Sequence, residues 1–181
     1  DVLNGGARAL WGEHEWISHV ITSPADSNIV VFNHEGHWHL VQRTWVVNAA
    51  TMEVWPIVKT EKHLERAGHE FFSKKGNIVT QYGRRDSVTS PWHCADLFIR
   101  PDGTGMRRYE YLPGEKPMHV QVNSTETYGI ADGAYMVNGP KDGKRYMAMV
   151  KYEDGFARQQ ILCVHDTSWK TQHSHPHPIF T

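Results

Sequence analysis

Short runs of alternating apolar and polar residues recur along the chain at a nearly fixed distance. Four segments align. The first is His19-Val20-Ile21-Thr22-Ser23, followed by Asn28-Ile29-Val30-Val31-Phe32. The second is His69-Glu70-Phe71-Phe72-Ser73, followed by Asn77-Ile78-Val79-Thr80. The third is His119-Val120-Gln121-Val122-Asn123, followed by Thr127-Tyr128-Gly129-Ile130. The fourth is His177-Pro178-Ile179-Phe180-Thr181. The aligned histidines at 19, 69, 119 and 177 are 50, 50 and 58 residues apart. Alternation at period two predicts strands in each segment.

Each unit continues with two more β-rich runs. They are 42–47 and 52–58 in the first, 94–99 and 106–112 in the second, and 145–152 and 156–164 in the third. Pro101-Asp102-Gly103 and Glu153-Asp154-Gly155 join the later pairs, and Asp-Gly between such runs signals a hairpin. Each unit therefore reads as four antiparallel strands. Four-stranded units repeating at about 40–50 residues predict an all-β fold, the β-propeller. Blades are expected at about 14–60, 61–113 and 114–170, with 171–181 opening a further one. That is about three and a half blades, too few to close a ring. The stretch 60–67 is too short for a helix and reads as a connecting turn.

Composition narrows the function. The net charge of −1 gives no basic excess, which argues against an electrostatic nucleic-acid binder. No run of about eighteen apolar residues occurs, so no membrane-spanning helix is expected. Cys94 and Cys163 do not make a disulfide framework and are expected reduced and buried. The chain opens at Asp1 without a basic-then-apolar leader and stops inside a predicted strand. Both ends read as cut from something longer.

Thirteen histidines are more than packing requires. The first strand of a propeller blade lines the central axis, so equivalent positions on successive first strands sit at one height. His19, His69, His119 and His177 are expected to ring one mouth of the channel. His175 and His177 are two apart, so an extended chain points both imidazoles the same way. Gln172 lies three residues before His175 and can fold back with its amide oxygen. Together with His119 from the adjacent blade, these residues offer three nitrogens and one oxygen to a divalent first-row metal. His14, His63, His93, His165 and His173 lack this register and are expected to be exposed or locally hydrogen-bonded.

Three separated motifs resemble the oligogalacturonate lyases. One is Asn33-His34-Glu35-Gly36-His37-Trp38 with Val41-Gln42-Arg43-Thr44-Trp45. Another is Ala67-Gly68-His69-Glu70-Phe71-Phe72-Ser73. The third is Gln-x-x-His-x-His-Pro, formed by Gln172, His175, His177 and Pro178. The resemblance runs from about Trp16 to the last residue. It implies a seven-bladed propeller acting on short, often unsaturated, galacturonides in pectin breakdown, usually in the cytoplasm. It also implies a divalent metal, typically manganese, on His119, Gln172, His175 and His177. The long third unit, with Asn138-Gly139-Pro140-Lys141-Asp142-Gly143 inserted, departs from the pattern.

The chemistry so implied is β-elimination on an oligogalacturonide. A base takes the C5 proton of a uronate, and the C4–O bond breaks. His69 is the first candidate for the base, as a ring histidine not needed as a ligand, and His19 is the second. Arg43 is the expected partner of a substrate carboxylate, because guanidinium binds carboxylates bidentately. Arg84 and Arg85 follow, on a loop. His34, Glu35 and Trp38 are expected to shape the mouth, with Glu35 alternatively supporting a histidine. Three other readings share parts of this pattern: a lyase on another acidic polysaccharide such as ulvan, a TolB-like binding propeller, and a metal hydrolase.

Overall fold

A computed structural model describes residues 17–36, 41–60, 64–133, 139, 142, 144–168, 170–171 and 174–181. The described residues form strands and no α-helix. None of them lies in a helix long and apolar enough to cross a membrane. The fold is that of a β-propeller fragment.

Among the described residues, twelve strands fall into three antiparallel meanders. The first holds β1 (Ile17–Thr22), β2 (Ile29–His34), β3 (Thr44–Asn48) and β4 (Glu53–Pro56), hydrogen-bonded in that order. The second holds β5 (Glu65–Phe72), β6 (Ile78–Arg84), β7 (His93–Ile99) and β8 (Arg107–Glu110). The third holds β9 (Val120–Val122), β10 (Tyr128–Ala131), β11 (Arg145–Glu153) and β12 (Phe156–His165). A single parallel pair, Phe156 with Glu110, ties the outer strands of the second and third blades.

The middle blade shows why these units need neighbours. Alternate residues of a strand point to opposite faces. On β7, Ala95, Leu97 and Ile99 pack with Ile29, Val31, Val46, Ile57 and Val58 of the first blade. Cys94 and Phe98 point the other way and pack with Val120, Val122, Ala131, Val150 and Ala157 of the third. The core is therefore two seams between blades. Polar pins accompany the apolar contacts. Trp55 Nε1 donates to the Pro101 carbonyl at 2.9 Å. The buried Glu126 carboxylate receives Ser73 Oγ, Asn77 Nδ2 (2.9 Å) and the Arg107 guanidinium.

Three expectations need correction. Residues 65–67 open β5 instead of belonging to a turn, because they pair with Tyr82, Gly83 and Arg84. Residues 177–181 form no strand, having no ladder partner among the described residues. Cys94 is buried but Cys163 is exposed on the outer strand β12.

Candidate metal and acid–base site

The repeat position carries a backbone feature that alternation alone does not reveal. In β1 the pairing runs Ser18 with Asn33, then Ile21 with Val31, so two residues oppose one. In β5 it runs Gly68 with Gln81, then Phe71 with Val79. Each is a β-bulge, which bends the strand and re-aims its side chains. The bulged residues are His19 (φ 50°) and His69 (φ 55°), and His177 has φ 46°. Left-handed backbone at a histidine is uncommon and costs energy, and such residues cluster at functional sites. His119 is seated differently. Its backbone N–H donates to Asp132 Oδ1 at 2.9 Å.

The result is one cleft of about 220 Å³, lined by His19, His69, His119 and His177 with Glu70. Ring centroids of His69 and His119 are 4.7 Å apart, and those of His119 and His177 are stacked at 3.8 Å. His175 lies 5.2 Å from His119. One nitrogen from each of His119, His175 and His177 falls within 4.8 Å of the other two. Burial, followed by the proximity of His119, holds the pKa values of His175 and His177 below the ordinary histidine value. Neutral imidazoles keep the lone pairs that a cation needs.

Asp132, fully buried, organises this cluster. It stands 3.0 Å from His119 Nδ1 through Oδ1, and Oδ2 accepts the His177 backbone N–H at 2.9 Å. Burial alone would raise the Asp132 carboxyl. Hydrogen bonds from the His119 ring and from the His177 and His119 backbones outweigh it, and the pKa lies below its ordinary value. A carboxylate on Nδ1 fixes the proton there and leaves His119 Nε2 as the lone-pair atom, the arrangement that metal-binding histidines commonly show. The donor set thus fits a divalent cation, with open positions for another ligand.

Beside the cluster, His69 meets the Gln81 amide oxygen through Nδ1 at 2.9 Å. Burial pushes its pKa down to about 4, against the Gln81 and Met118 hydrogen bonds that favour the charged ring. His69 is therefore a neutral imidazole near pH 7. His19 behaves oppositely. Its side chain is 46 % exposed, and Nδ1 contacts the buried Glu70 Oε1 at 3.2 Å. That hydrogen bond comes first among the influences raising its pKa, and it exceeds the lowering by burial.

Other expected site residues lie elsewhere. Arg43 is buried, with Nη1 on Glu35 Oε2 at 2.8 Å and on the Gly36 carbonyl at 3.2 Å. Glu35 also receives Ser18 Oγ. Among the described residues Glu35 thus supports an arginine and a serine, while Glu70 and Asp132 support the histidines. His34 is buried at the end of β2, away from the cleft lining, with its backbone N–H on the Arg43 carbonyl. Arg84 is the exposed last residue of β6, not a loop residue, and lines neither histidine wall. Gln172 and Trp38 lie outside the described residues. The sequence reading missed Asp132 and Glu70 as supports. Ala131-Asp132-Gly133 passes for a turn, and Glu70 reads as an ordinary strand carboxylate beside His69.

The family model for oligogalacturonate lyase matches residues 1–181. The chain is 28 % identical over 195 residues to the oligogalacturonate lyase of Dickeya dadantii (strain 3937), covering all of this chain and 48 % of that protein. It is 27 % identical over 192 residues to the oligogalacturonide lyase of Pectobacterium atrosepticum, again covering 48 % of it. The chain thus spans about half the length of these curated relatives. An oligogalacturonate lyase solved in complex with manganese superimposes with a TM-score of 0.70 at 26 % identity, covering 92 % of this chain and 42 % of that one. The oligogalacturonate lyase of Vibrio parahaemolyticus gives 0.71 at 26 % identity, covering 92 % and 43 %. A propeller fragment with clustered histidines and a family match along its whole length places this chain in the oligogalacturonate lyase family.

Proposed function

We propose that the protein cleaves short oligogalacturonides by metal-assisted β-elimination, and that this chain supplies the metal ligands and the base. The observation that carries the reading is the convergence of His119, His175 and His177, backed by Asp132, with the neutral His69 directly against His119. A relative solved with manganese supports a divalent ion on the same fold. His119, His175 and His177 would hold it, with Gln172 as the fourth residue expected from the sequence. Once bound, the ion supplies positive charge beside the uronate carboxylate and stabilises the charge that develops on C5 and C6.

The chain's own groups do the rest. With the Gln81 carbonyl accepting from Nδ1, the lone pair of His69 sits on Nε2, which takes the C5 proton. The electron pair left on C5 forms the double bond to C4. The C4–O bond breaks, and its oxygen leaves with a proton taken from solvent water, while His69 later returns the C5 proton to solvent. Gln81 and the Met118 backbone then favour the charged ring that results. His19, half exposed and held by Glu70, is the second candidate for proton handling at the mouth. Arg43 remains the proposed partner of a substrate carboxylate, which must share the guanidinium with Glu35.

The test uses metal-stripped protein incubated with digalacturonate, with and without added manganese. Ultraviolet absorbance and mass spectrometry follow the unsaturated product. Metal-dependent formation of that product is expected. Hydrolytic products, or no turnover in either condition, would sink the reading.

A further inference from the structure

A second cavity, of about 160 Å³, shares His69 with the histidine cleft. Its walls come from β5, β6, β7 and the segment between β8 and β9. Two cations line it, Arg66 and Lys116. The Arg66 guanidinium lies over the Trp92 ring, 4.0 Å from its centre. Burial first, and the Arg66 charge second, hold the Lys116 ammonium below the ordinary lysine range. Among the described residues neither cation is ion-paired with a carboxylate.

The same cavity also carries hydrogen-bonding groups suited to hydroxyls. Asp96 is fully buried, and its Oδ2 accepts the hydroxyls of Tyr111 (2.5 Å) and Tyr152 (2.7 Å). Its Oδ1 is buried without a hydrogen-bond partner. Gln81 lies directly across the ladder from Asp96, and its Nε2 is likewise buried without a partner. Leaving such groups unsatisfied costs roughly 1–3 kcal/mol each. One orphaned acceptor, one orphaned donor and two cations without an ion-pair partner among the described residues, all in one cavity, fit a ligand with both hydroxyls and negative charge. A water molecule could bridge Asp96 Oδ1 and Gln81 Nε2, but it would bring no charge to either cation.

We propose that this cavity is a subsite for a second uronate ring, with its carboxylate between Arg66 and Lys116 and its ring hydroxyls on Asp96 Oδ1 and Gln81 Nε2. The identity of the ligand rests on the lyase reading above. Because His69 borders both cavities, a sugar seated here is joined through a glycosidic bond to the ring whose C5 faces His69. The subsite thereby sets which bond of the oligomer is cut.

The test is calorimetric titration of the metal-loaded protein with D-galacturonate, which has no glycosidic bond to eliminate. Saturable binding is expected, weakened about tenfold or more in Lys116→Gln, the loss that one charge-assisted hydrogen bond implies. Lys116→Arg is expected to restore most of it. D-galactose, which lacks the carboxylate, is expected to bind at least about tenfold more weakly. Metal content measured on each variant verifies that the histidine cluster is intact. Equal affinity in wild type and Lys116→Gln overturns the proposal, as does galactose or acetate binding as tightly as galacturonate. Binding of this kind without turnover of digalacturonate would overturn the lyase reading alone. Turnover with binding indifferent to Lys116 would overturn the subsite alone.

Discussion

Asp132 and His119 share two bonds: Asp132 Oδ1 accepts the His119 backbone N–H at 2.9 Å and faces its ring Nδ1 at 3.0 Å. One carboxylate therefore fixes both the main chain and the ring of the central imidazole, and its other oxygen holds the backbone of His177. Replacing Asp132 with alanine is expected to weaken divalent metal binding about 10–100-fold, the usual cost of losing such a partner. Competition against a chromophoric chelator measures it. An unchanged dissociation constant would falsify the supporting role.

His175 supplies the third nitrogen of the cluster. His175→Ala is expected to lose both bound metal and elimination activity. Elemental analysis of the purified variant is the direct check. Full metal content in that variant sinks the ligand assignment.

Glu70 raises the pKa of His19, so the two should separate on mutation. In Glu70→Gln the His19 pKa is expected to move down toward the ordinary histidine value. For the wild type the sign follows from a raised folded-state pKa. The pair contributes stability below the unfolded pKa and loses it as pH rises through the folded one. Titration of the histidine ring signals by nuclear magnetic resonance reads the shift. A His19 curve identical in the two proteins removes Glu70 from this role.

Burial pushes Asp96 up to about 6 from an ordinary value of 3.8, against the two tyrosine hydroxyls. Because the folded value is the higher, the Asp96 contribution to stability is greatest below about 3.8 and is lost as pH rises through about 6. The window is worth roughly 3 kcal/mol at 1.36 kcal/mol per unit. Asp96→Asn keeps an oxygen for the tyrosines and cannot ionise, so between pH 4 and 6 the wild type should lose urea-unfolding free energy relative to this variant. Parallel pH profiles for the two proteins would refute the shift.

Much of the fold was legible because it rests on local pattern. The period-two runs and the Asp-Gly turns place the ends of β7, β11 and β12 to within one residue and those of β6 to within four, and the repeat places three meanders side by side. The convergence of His19, His69, His119 and His177 was also legible, since equivalent positions in a repeat must superpose, and the two-residue spacing brought His175 to the same side as His177. What was hidden depends on contacts between blades or on backbone sign. The bulges at His19 and His69 leave the spacing of histidines unchanged. Asp132 and Glu70 look like ordinary carboxylates until the neighbouring strand is in place. Arg43 signals carboxylate binding by its type, but its type cannot show that Glu35 is already there. The absence of a strand at 177–181 is of the same kind, because a strand exists only with a partner.

The bulge at His69-Glu70 has a mechanical meaning for the whole site. One peptide unit reaches in two directions, with His69 against His119 on one side and Glu70 against His19 on the other. The histidines are therefore links of a chain in which every second link crosses a seam between blades. A chain in series fails at its loosest joint. Small slippage of one blade against the next would separate the proposed catalytic partners long before either sheet came apart, so the proposed activity is the more sensitive gauge of how well the blades are seated.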